Sequence, residues 1–369
     1  MFGSRNFLLV KSAGGGGGGK LFLWGRNNFG QLGLGNTTNY SSPKQVGSST
    51  TWTQVSPSTQ TLAVNAAGEL WAWGRNASGE LGLGNTTDYS SPKQVGALTN
   101  WKTAGSGTNF SICLKTDDTL WAWGLNSYGN LGVNNTTNYS SPVQVLGGAN
   151  WAVADTVFQT ARVVLAVDKN NKLFSWGFNN YGNLGLNDTT NRSSPTQVGA
   201  LLNWALPATG TTFGMCVKTD GTLWTWGSNG SGQLALGNTT DYSSPKQVGA
   251  LTNWKTPAAG DSFWLCVKTD GTLWSAGNGL SGKLGLGNTT NYSSPKQVGA
   301  LTDWSIPTAG GGFSACSKTD GTIWFWGSNG YGQLGQGNTT DLSSPVQVGS
   351  LTTWINLNTN NRASGGITS

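Results

Sequence analysis

The sequence predicts an all-β fold, a seven-bladed β-propeller that is closed by a composite blade from both termini. Three observations predict it. A segment of about 50 residues recurs along nearly the whole chain, tryptophans recur in two registers of seven positions, and the two ends hold complementary parts of one repeat. Short strands repeated with a period of about 40 to 50 residues are typical of propellers and solenoids.

The two tryptophan registers set the number of blades. One register is a Trp-Gly pair, at Trp24, Trp73, Trp123, Trp176, Trp226 and Trp326, with Ala276-Gly277 in the sixth position. The other is a lone tryptophan before each hairpin, at Trp52, Trp101, Trp151, Trp204, Trp254, Trp304 and Trp354. From each Trp-Gly position to the next lone tryptophan the step is always 28 residues, so length varies only within the hairpin.

Within one repeat the order of elements is read from residues 254–303. An apolar run at 263–267 has the length of a strand, and Lys268-Thr269-Asp270-Gly271 is a turn in which Asp-Gly favours a tight hairpin. Residues 272–276 form the return strand, and a loop with the elements G-K-L-G-L-G, N-T-T and S-S-P leads to a short last strand at 297–298. The apolar residues recur with no helical period, which favours an all-β structure.

The chain ends predict how the ring closes. Residues 7–11 align with 264–268, residues 20–25 complete a hairpin, and the seventh repeat stops just after residues 354–357. We therefore expect residues 7–10 and Trp354 to lie in one sheet, since closure removes the free edges. The predicted organisation is an N-terminal tail at 1–6, one propeller domain at 7–358 and a C-terminal tail at 359–369.

The string W-G-x-N-x-x-G-x-L-G-x-G stands at residues 73–84 and recurs through 24–337, with departures at Ala276, Ala235 and Gln336. It resembles the repeat of the regulator of chromosome condensation family, which is named after the chromatin-bound exchange factor for Ran. The resemblance covers about residues 7–357 and implies a seven-bladed propeller. The family includes exchange factors, a β-lactamase inhibitor and propellers fused to ligases or kinases, so fold does not fix function. Exchange activity is not expected, because the chain has neither a basic tail nor a distinctive asymmetric face.

Composition excludes several function classes. Charged residues make up 10% of the chain, and the net charge of +6 is spread thinly, which argues against a nucleic-acid partner. An apolar run of about 20 residues, which a membrane helix needs, is absent, so no membrane insertion is expected. The apolar stretch at residues 7–10 is too short for a secretion signal, and we expect the protein to be made and kept in a cytoplasm until lysis or assembly.

Catalysis, metal binding and cofactors are not expected. The chain has no histidine, and its remaining polar residues are copied from blade to blade instead of converging once. Asp118, Asp220, Asp270 and Asp320 fall in turns. The four cysteines, at Cys113, Cys216, Cys266 and Cys316, share one repeat position with Ala63 and Ala166, which predicts buried free thiols.

Two sets of residues are candidates for binding. The first is the hexaglycine hairpin, Gly14, Gly15, Gly16, Gly17, Gly18 and Gly19, which is either disordered or close to another backbone. The second is a ring of loop tyrosines that follow the N-T-T triplets, at Tyr40, Tyr89, Tyr139, Tyr242 and Tyr292. The tyrosines contact either sugar or protein, or the neighbouring blade. The triplets themselves favour turn chemistry over glycosylation, and the off-pattern run at 153–158 marks the fourth blade as irregular.

These observations lead to three hypotheses of function. The first is a non-enzymatic virion protein of a bacteriophage, a capsid decoration, tail or spike component that binds other protein subunits or a host-surface glycan or protein. The second is a bacterial surface or released binding protein, either a lectin or a protein inhibitor. The third is an intracellular protein-interaction hub. In each of them the protein binds through surface loops and has no turnover.

Overall fold

A computed structural model describes residues 18–156, 163–360 and 362–369. In these residues it contains seven four-stranded antiparallel sheets and one short 3-10 turn at Leu280–Gly282. The strands are β1 (Lys20–Gly25) and β2 (Tyr40–Gln45) of blade 1; β3 (Trp52–Pro57), β4 (Gln60–Asn65), β5 (Leu70–Gly74) and β6 (Tyr89–Gln94) of blade 2; β7 (Trp101–Ser106), β8 (Phe110–Lys115), β9 (Thr119–Gly124) and β10 (Tyr139–Ala149) of blade 3; β11 (Trp151–Thr156), β12 (Val163–Asp168), β13 (Leu173–Gly177) and β14 (Arg192–Gln197) of blade 4; β15 (Trp204–Thr209), β16 (Phe213–Lys218), β17 (Leu223–Gly227) and β18 (Tyr242–Gln247) of blade 5; β19 (Trp254–Ala259), β20 (Phe263–Lys268), β21 (Leu273–Gly277) and β22 (Tyr292–Gln297) of blade 6; β23 (Trp304–Ala309), β24 (Phe313–Lys318), β25 (Ile323–Gly327) and β26 (Leu342–Gln347) of blade 7; and β27 (Trp354–Asn360) and β28 (Ala363–Thr368), which complete blade 1.

The seven sheets form a closed ring, as the sequence predicts. The first strand of each blade contacts the first strands of both neighbours, around to β27 and β3, so these strands surround the centre. The second strands are almost entirely buried between neighbouring blades, which explains their apolar composition. The fourth strands, of the type Y-S-S-P-K-Q, are polar and half-exposed, and a proline on such an outer strand blocks edge-to-edge pairing.

Blade 1 is the composite blade, and its strand order is β2-β1-β28-β27. Both termini contribute, which confirms closure, but the expected C-terminal tail at 359–369 is wrong. β28 lies between β27 and β1 and pairs with both over its whole length, from Ala363 to Thr368. It takes the place that we assigned to residues 7–10, which lie outside the described residues. The sequence signal was weak because Ser364-Gly365-Gly366-Ile367 lacks the F-x-x-C-V-K pattern, which is complete in blades 5 and 6 and partly kept in blades 3 and 7.

The blade core is organised around the tryptophan of each Trp-Gly pair. Each of these six indoles is fully buried and donates its Nε1–H to a main-chain carbonyl of the preceding blade, as Trp226 does to Asn183 at 3.0 Å. The residue paired with it on the second strand is Gly, Ser or Thr in five blades, such as Gly214 opposite Trp226 and Ser314 opposite Trp326, and Val164 in blade 4. In blade 6 the sizes are exchanged, because Trp264 pairs with Ala276.

All four cysteines are free and buried, which confirms their predicted packing role. Burial raises the pKa of Cys113 and of Cys266 to about 12. The predicted turn positions of the four aspartates are confirmed, with one correction to the role of Asp118. Asp220 accepts hydrogen bonds from Thr222, but in blade 3 this role belongs to Asp117, while Asp118 takes the positive-φ position of the turn glycine. In the part of the chain described here, no helix is long and apolar enough to cross a membrane.

Candidate functional site

Antiparallel pairing gives the ring two different ends. The connections from the first to the second strand and from the third to the fourth strand lie at one end, which we call the long-loop face. The tight hairpins between the second and third strands, and the linkers to the next blade, lie at the other end, which we call the hairpin face.

The loop between the third and fourth strands is held by a repeated asparagine. In blade 1, Asn27 donates from Nδ2 to the main-chain oxygen of Asn36 at 3.0 Å and accepts from the Leu32 amide at 2.8 Å. The side chain of Asn36 in turn accepts from the Thr38 amide. The same bonds recur at the equivalent residues of blades 2, 3, 5 and 7, which confirms turn chemistry for the N-T-T triplets. These loops therefore hold the side chains beside them in fixed positions.

Two positions in this loop differ from blade to blade although the frame around them repeats. The first, directly after the Trp-Gly pair, is Arg26, Arg75, Leu125, Phe178, Ser228, Asn278 and Ser328 in blades 1 to 7. The second, three residues later, is Phe29, Ser78, Tyr128, Tyr181, Ser231, Ser281 and Tyr331. The expectation that the chain has no asymmetric face is thus wrong. Six copies share the asparagine that holds the loop, and blade 6 has Gly279 in its place, yet the residues that the copies present on the long-loop face differ.

Blades 7, 1 and 2 present a continuous row of arginine and aromatic side chains. The Arg75 guanidinium lies 5.7 Å from the Phe29 ring centroid, and Arg26 lies 6.0 Å from the same ring and 5.3 Å from the ring of Tyr331. Arg362 lies 4.9 Å from Tyr331 and donates to its hydroxyl at 2.7 Å. We call these five residues the arginine–aromatic row. Its alternation of cation and ring is a cation–π arrangement that holds each side chain in place.

Arg75 has two further partners, Glu80 in its own blade and Asn109 in blade 3. Its guanidinium lies 3.8 Å from a carboxylate oxygen of Glu80 and donates to the side chain of Asn109. Glu80 is fully buried and accepts from the Ser78 amide at 2.6 Å. Desolvation by burial raises the pKa of Glu80, and the main-chain hydrogen bonds and Arg75 oppose that rise. One end of the row is thus attached to a buried carboxyl group.

Other sectors of the long-loop face carry different chemistry. In blades 3 and 4, the ring of Phe178 lies 5.0 Å from that of Tyr128 and 6.1 Å from that of Tyr181, so three aromatic rings form a cluster. Between blades 5 and 6, Asp261 accepts from the Thr211 hydroxyl at 2.6 Å. Desolvation raises the pKa of Asp261, and it lowers the pKa of the nearby Lys283. The described part of this face therefore has a cationic sector, an aromatic sector and a sector with a half-buried aspartate and a buried lysine.

Comparison with known families decides the identity of these repeats. The sequence profile described as the regulator of chromosome condensation (RCC1) repeat matches residues 18–61, 67–114, 117–155, 170–217, 220–267, 270–317 and 320–356, and a second profile of this repeat matches 102–130. The chain belongs to the regulator of chromosome condensation repeat family. No curated protein sequence matches it.

Solved structures give the same fold. The chain is similar to Prp20p from Saccharomyces cerevisiae, with a TM-score of 0.80 and 19% identity over 95% of this chain and 92% of that chain. It is similar to human WBSCR16, with a TM-score of 0.84 and 20% identity over 95% and 98% of the two chains. Yeast Prp20 in its complex with Kap60 gives a TM-score of 0.83 and 19% identity over 100% and 94%. At such identities the likeness shows the fold alone.

The predicted tyrosine ring lies at the outer rim of this RCC1-repeat propeller. Each tyrosine is half-buried at the start of a fourth strand, and its hydroxyl accepts a side-chain hydrogen bond from the triplet asparagine, at 3.1 to 3.5 Å. In four of the five blades, the ammonium group of a lysine four residues later lies over the phenol ring of the tyrosine. The Nζ atom of Lys246, for example, lies 5.3 Å from the centroid of the Tyr242 ring. These contacts within one blade give the five loop tyrosines a structural role, and binding of a sugar or protein by these tyrosines stays a prediction.

The hexaglycine hairpin is only partly described, since Gly14, Gly15, Gly16 and Gly17 lie outside the described residues. Gly19 pairs with Trp52 of blade 2 through two main-chain hydrogen bonds, of 2.8 and 3.1 Å. A Cβ atom on Gly19 would lie 1.9 Å from the main-chain oxygen of Thr368, so glycine is required there. At residues 18 and 19 the tract therefore lies close to another backbone. Residues 157 and 158 of the irregular run also lie outside the described part.

The described residues contain no group of three or more Cys, Asp or Glu side chains that could hold a metal ion. The two carboxyl groups of the long-loop face whose pKa is raised by burial, Glu80 and Asp261, lie in different blades and interact with different partners. The arrangement therefore offers arginine and aromatic contacts suited to recognition. It offers no convergent set of acid, base and nucleophile in the residues described.

Proposed function

We propose that this chain is a non-enzymatic binding propeller that holds one protein partner in one orientation through its arginine–aromatic row. A closed ring of near-identical blades presents seven nearly equivalent surfaces, so orientation must come from residues that distinguish the blades. The arginine–aromatic row is the observation that carries the proposal, because it occupies blades 7, 1 and 2 only. Arginine and tyrosine are also enriched among residues that dominate protein interfaces.

The chemistry of the row indicates an acidic partner surface. Arg26 and Arg75 are half-buried and already oriented by the rings between them, so little side-chain freedom is lost when they bind. A guanidinium forms paired hydrogen bonds with carboxylates, and a net charge of +6 favours approach of an acidic protein. Family members with protein partners support protein binding in general: Prp20p was studied for its binding to Gsp1p and histones, and yeast RCC1 was crystallised with Kap60. The acidic character of the partner rests on the arginines of this chain alone.

The experiment uses substitutions that other blades already contain. Replacing Arg26, Phe29, Arg75 and Tyr331 by serine gives these blades the residues that blade 5 has at the same two positions, Ser228 and Ser231. The matched control replaces two exposed lysines at the hairpin face, Lys20 and Lys255, by serine, which removes the same number of positive charges. Both variants are expected to fold, since every replaced side chain is at least partly exposed.

The readout is capture of the partner from the cells that make the protein, followed by calorimetry with the purified partner. We expect the row variant to lose affinity by a factor of 100 or more, since hot-spot residues contribute about 2 kcal/mol or more each. The control variant should bind like the unmodified chain. Equal binding by all three proteins would refute the proposal, as would capture that nuclease treatment abolishes.

We further propose a bacteriophage virion as the setting of this contact, with other virion proteins as partners. This rests on the sequence alone, namely the low charge, the uniform repeats and the absence of a catalytic set; the named solved relatives come from yeast and human. Mass spectrometry of density-purified particles should find the chain at a fixed ratio to a capsid or tail protein. Its absence from particles would instead favour the surface-protein or hub hypothesis. Several equivalent glycan sites on one ring would favour a lectin.

A further inference from the structure

The hairpin face contains a repeated cage for a lysine side chain. In blades 3, 5, 6 and 7 the last residue of the second strand is a lysine that lies between two tryptophans. The lysines are Lys115, Lys218, Lys268 and Lys318, and each Nζ lies 3.8 to 4.4 Å from the centroid of a third-strand indole and 4.5 to 5.0 Å from that of the lone tryptophan. All four lysines are buried. The fold thus shows four times that an ammonium group fits between these rings.

Blade 4 has the same cage but no lysine in it. Asp168 takes the lysine position, because it pairs with Trp151 in the register in which Lys218 pairs with Trp204. Phe174 takes the position of Trp224, and its ring lies 5.4 Å from that of Trp151 at an interplanar angle of 80°. The pair in blade 5 is similar, at 6.1 Å and 75°. The aromatic walls therefore keep their geometry, while the internal cation is replaced by a carboxyl group.

A cavity of about 150 Å³ opens at this cage. Its lining includes Trp151, Phe174 and Asp168, and Leu146, which is 46% exposed, stands at its rim. An equivalent groove between blades 5 and 6 is lined by Trp254 and Trp274 but not by Lys268. The lining of the cavity at the junction of blades 3 and 4 therefore includes the position that a lysine occupies in blades 3, 5, 6 and 7.

The carboxyl group of Asp168 has an oxygen available for a cation. Its Oδ1 accepts from the amides of Asn170 and Lys172, at 2.9 and 2.8 Å, which fixes the turn. Its Oδ2 has only two long contacts, with the side chains of Asn150 and Asn170, at 3.5 and 3.4 Å. The side chain is 6% exposed, so a cation that reaches it leaves water and meets a negative charge in a low-dielectric setting.

We propose that this blade 4 cage is a binding site for the ammonium group of a lysine side chain from a partner protein. The incoming group takes the place of the internal lysine of the other blades, with Trp151 and Phe174 as walls and Asp168 as counter-ion. Blades 1 and 2 have Thr368 and Asn65 at the same position, so the described residues contain one such site per ring. It lies on the face opposite to the arginine–aromatic row and does not depend on the function proposed for that row.

The test is a titration of the isotopically labelled full chain with a capped Gly-Lys-Gly peptide, followed by NMR of the tryptophan indole N–H groups. The indole Nε1–H of Trp151 is buried and makes no hydrogen bond, so its resonance reports directly on the cage. We expect a saturable shift of the Trp151 signal, which the Trp151→Phe variant assigns. The Nε-acetyl-lysine peptide, which lacks the charge, should cause no shift. An absent Trp151 shift, or an equal shift with the acetylated peptide, would overturn the proposal.

Two variants of blade 4 separate charge from shape. Replacing residues 168–172, Asp-Lys-Asn-Asn-Lys, by Lys-Thr-Asp-Gly-Thr from 218–222 supplies an internal lysine at unchanged length, and peptide binding should be lost. Asp168→Asn keeps the turn, because Asn65 accepts the equivalent amide bonds in blade 2, and should weaken binding about ten-fold or more. Unchanged peptide affinity in Asp168→Asn would contradict the role of the carboxylate even if the grafted variant fails to fold.

A reciprocal variant empties the cage of blade 6, which an internal lysine now fills. Lys268→Ala removes the internal ammonium from between Trp254 and Trp274. We expect the lysine peptide to shift the Trp254 indole signal in this variant and not in the unmodified chain. A Trp254 signal that does not respond would show that the two aromatic walls do not attract an ammonium group, and would count against the cage in blade 4.

Discussion

The exchange of sizes between Trp264 and Ala276 gives a prediction with a defined magnitude. In five of the other six blades the third-strand indole pairs with Gly, Ser or Thr on the second strand, and in blade 4 it pairs with Val164; blade 6 reverses the arrangement. Trp264→Ser should leave a cavity and destabilise the fold by about 3 to 5 kcal/mol. Ala276→Trp should place a second indole against the first and cost about 1 to 3 kcal/mol.

The double variant should be close to the unmodified protein in stability. It recreates the Ser314–Trp326 pair of blade 7, in which hydroxyl and indole both donate to the carbonyl oxygen of Lys283, at 2.7 and 3.0 Å. In blade 6 the equivalent carbonyl belongs to Gln233, and the buried indole N–H of Trp264 has no hydrogen-bond partner. Each bond to Gln233 in the double variant is expected to contribute about 0.5 to 1.5 kcal/mol.

The assay is urea unfolding of all four proteins, followed by circular dichroism and analysed as a double-mutant cycle. We expect a coupling free energy of about 3 kcal/mol or more, at the upper end for residues in contact. The reverse exchange in blade 7, Ser314→Trp with Trp326→Ala, is the matched control and should be tolerated equally. Additive costs in the blade 6 cycle would refute the view that the pair is one packing unit.

Three further predictions concern closure, thiols and charge. Deleting residues 362–369 removes β28 and should lower the melting temperature by more than about 10 °C, because loss of the buried Ile367 alone costs about 2 to 5 kcal/mol. Deleting residues 1–12 should lower the melting temperature less. A larger loss of melting temperature from the 1–12 deletion would contradict the assignment of β28. No cysteine should react with a small thiol reagent at pH 8 before denaturation and all four should react after it, since the pKa values of Cys113 and Cys266 are raised to about 12; rapid native labelling would count against this. Burial raises the pKa of Glu80, so the folded state binds the proton more tightly and ionised Glu80 lowers stability above its ordinary pKa of 4.5. Glu80→Gln should therefore raise the melting temperature at pH 7, with the gain lost below pH 4.5, and a gain that persists at pH 3 would exclude ionisation as its cause.

The repeat itself could be predicted from the sequence because each blade contains the same pattern of residues. The two tryptophan registers predict the number of blades, and the position shared by Ala and Cys predicts a packed site, which the four buried cysteines confirm. The closing strand was assigned wrongly, because β28 has Gly365 where five of the other blades have Leu, Ile or Met. Gly366 stands at the Ala-or-Cys position, and a Cβ there would lie 2.6 Å from the Trp354 ring. The pairing of β28 thus depends on close packing against Trp354, which the pattern of apolar residues in the sequence does not indicate.

The candidate sites were harder to predict because their signal is variation and not repetition. The arginine–aromatic row joins Arg75 of blade 2 to Tyr331 of blade 7, residues that are distant in sequence, and only ring closure brings them together. Comparison of the seven loops position by position would have shown the two variable positions. It would also have shown Asp168 where four blades have lysine, but the cavity beside it needed the structure.

The central claim is that one sector of the long-loop face holds the partner. Hydrogen exchange of the chain with and without the captured partner tests it most directly. We predict protection at residues 26–31, 75–80 and 328–333, which carry four of the five residues of the arginine–aromatic row, and little change in the equivalent loop of blade 5 at 228–233. Protection spread equally over all seven loops, or confined to the hairpin face, would contradict the claim.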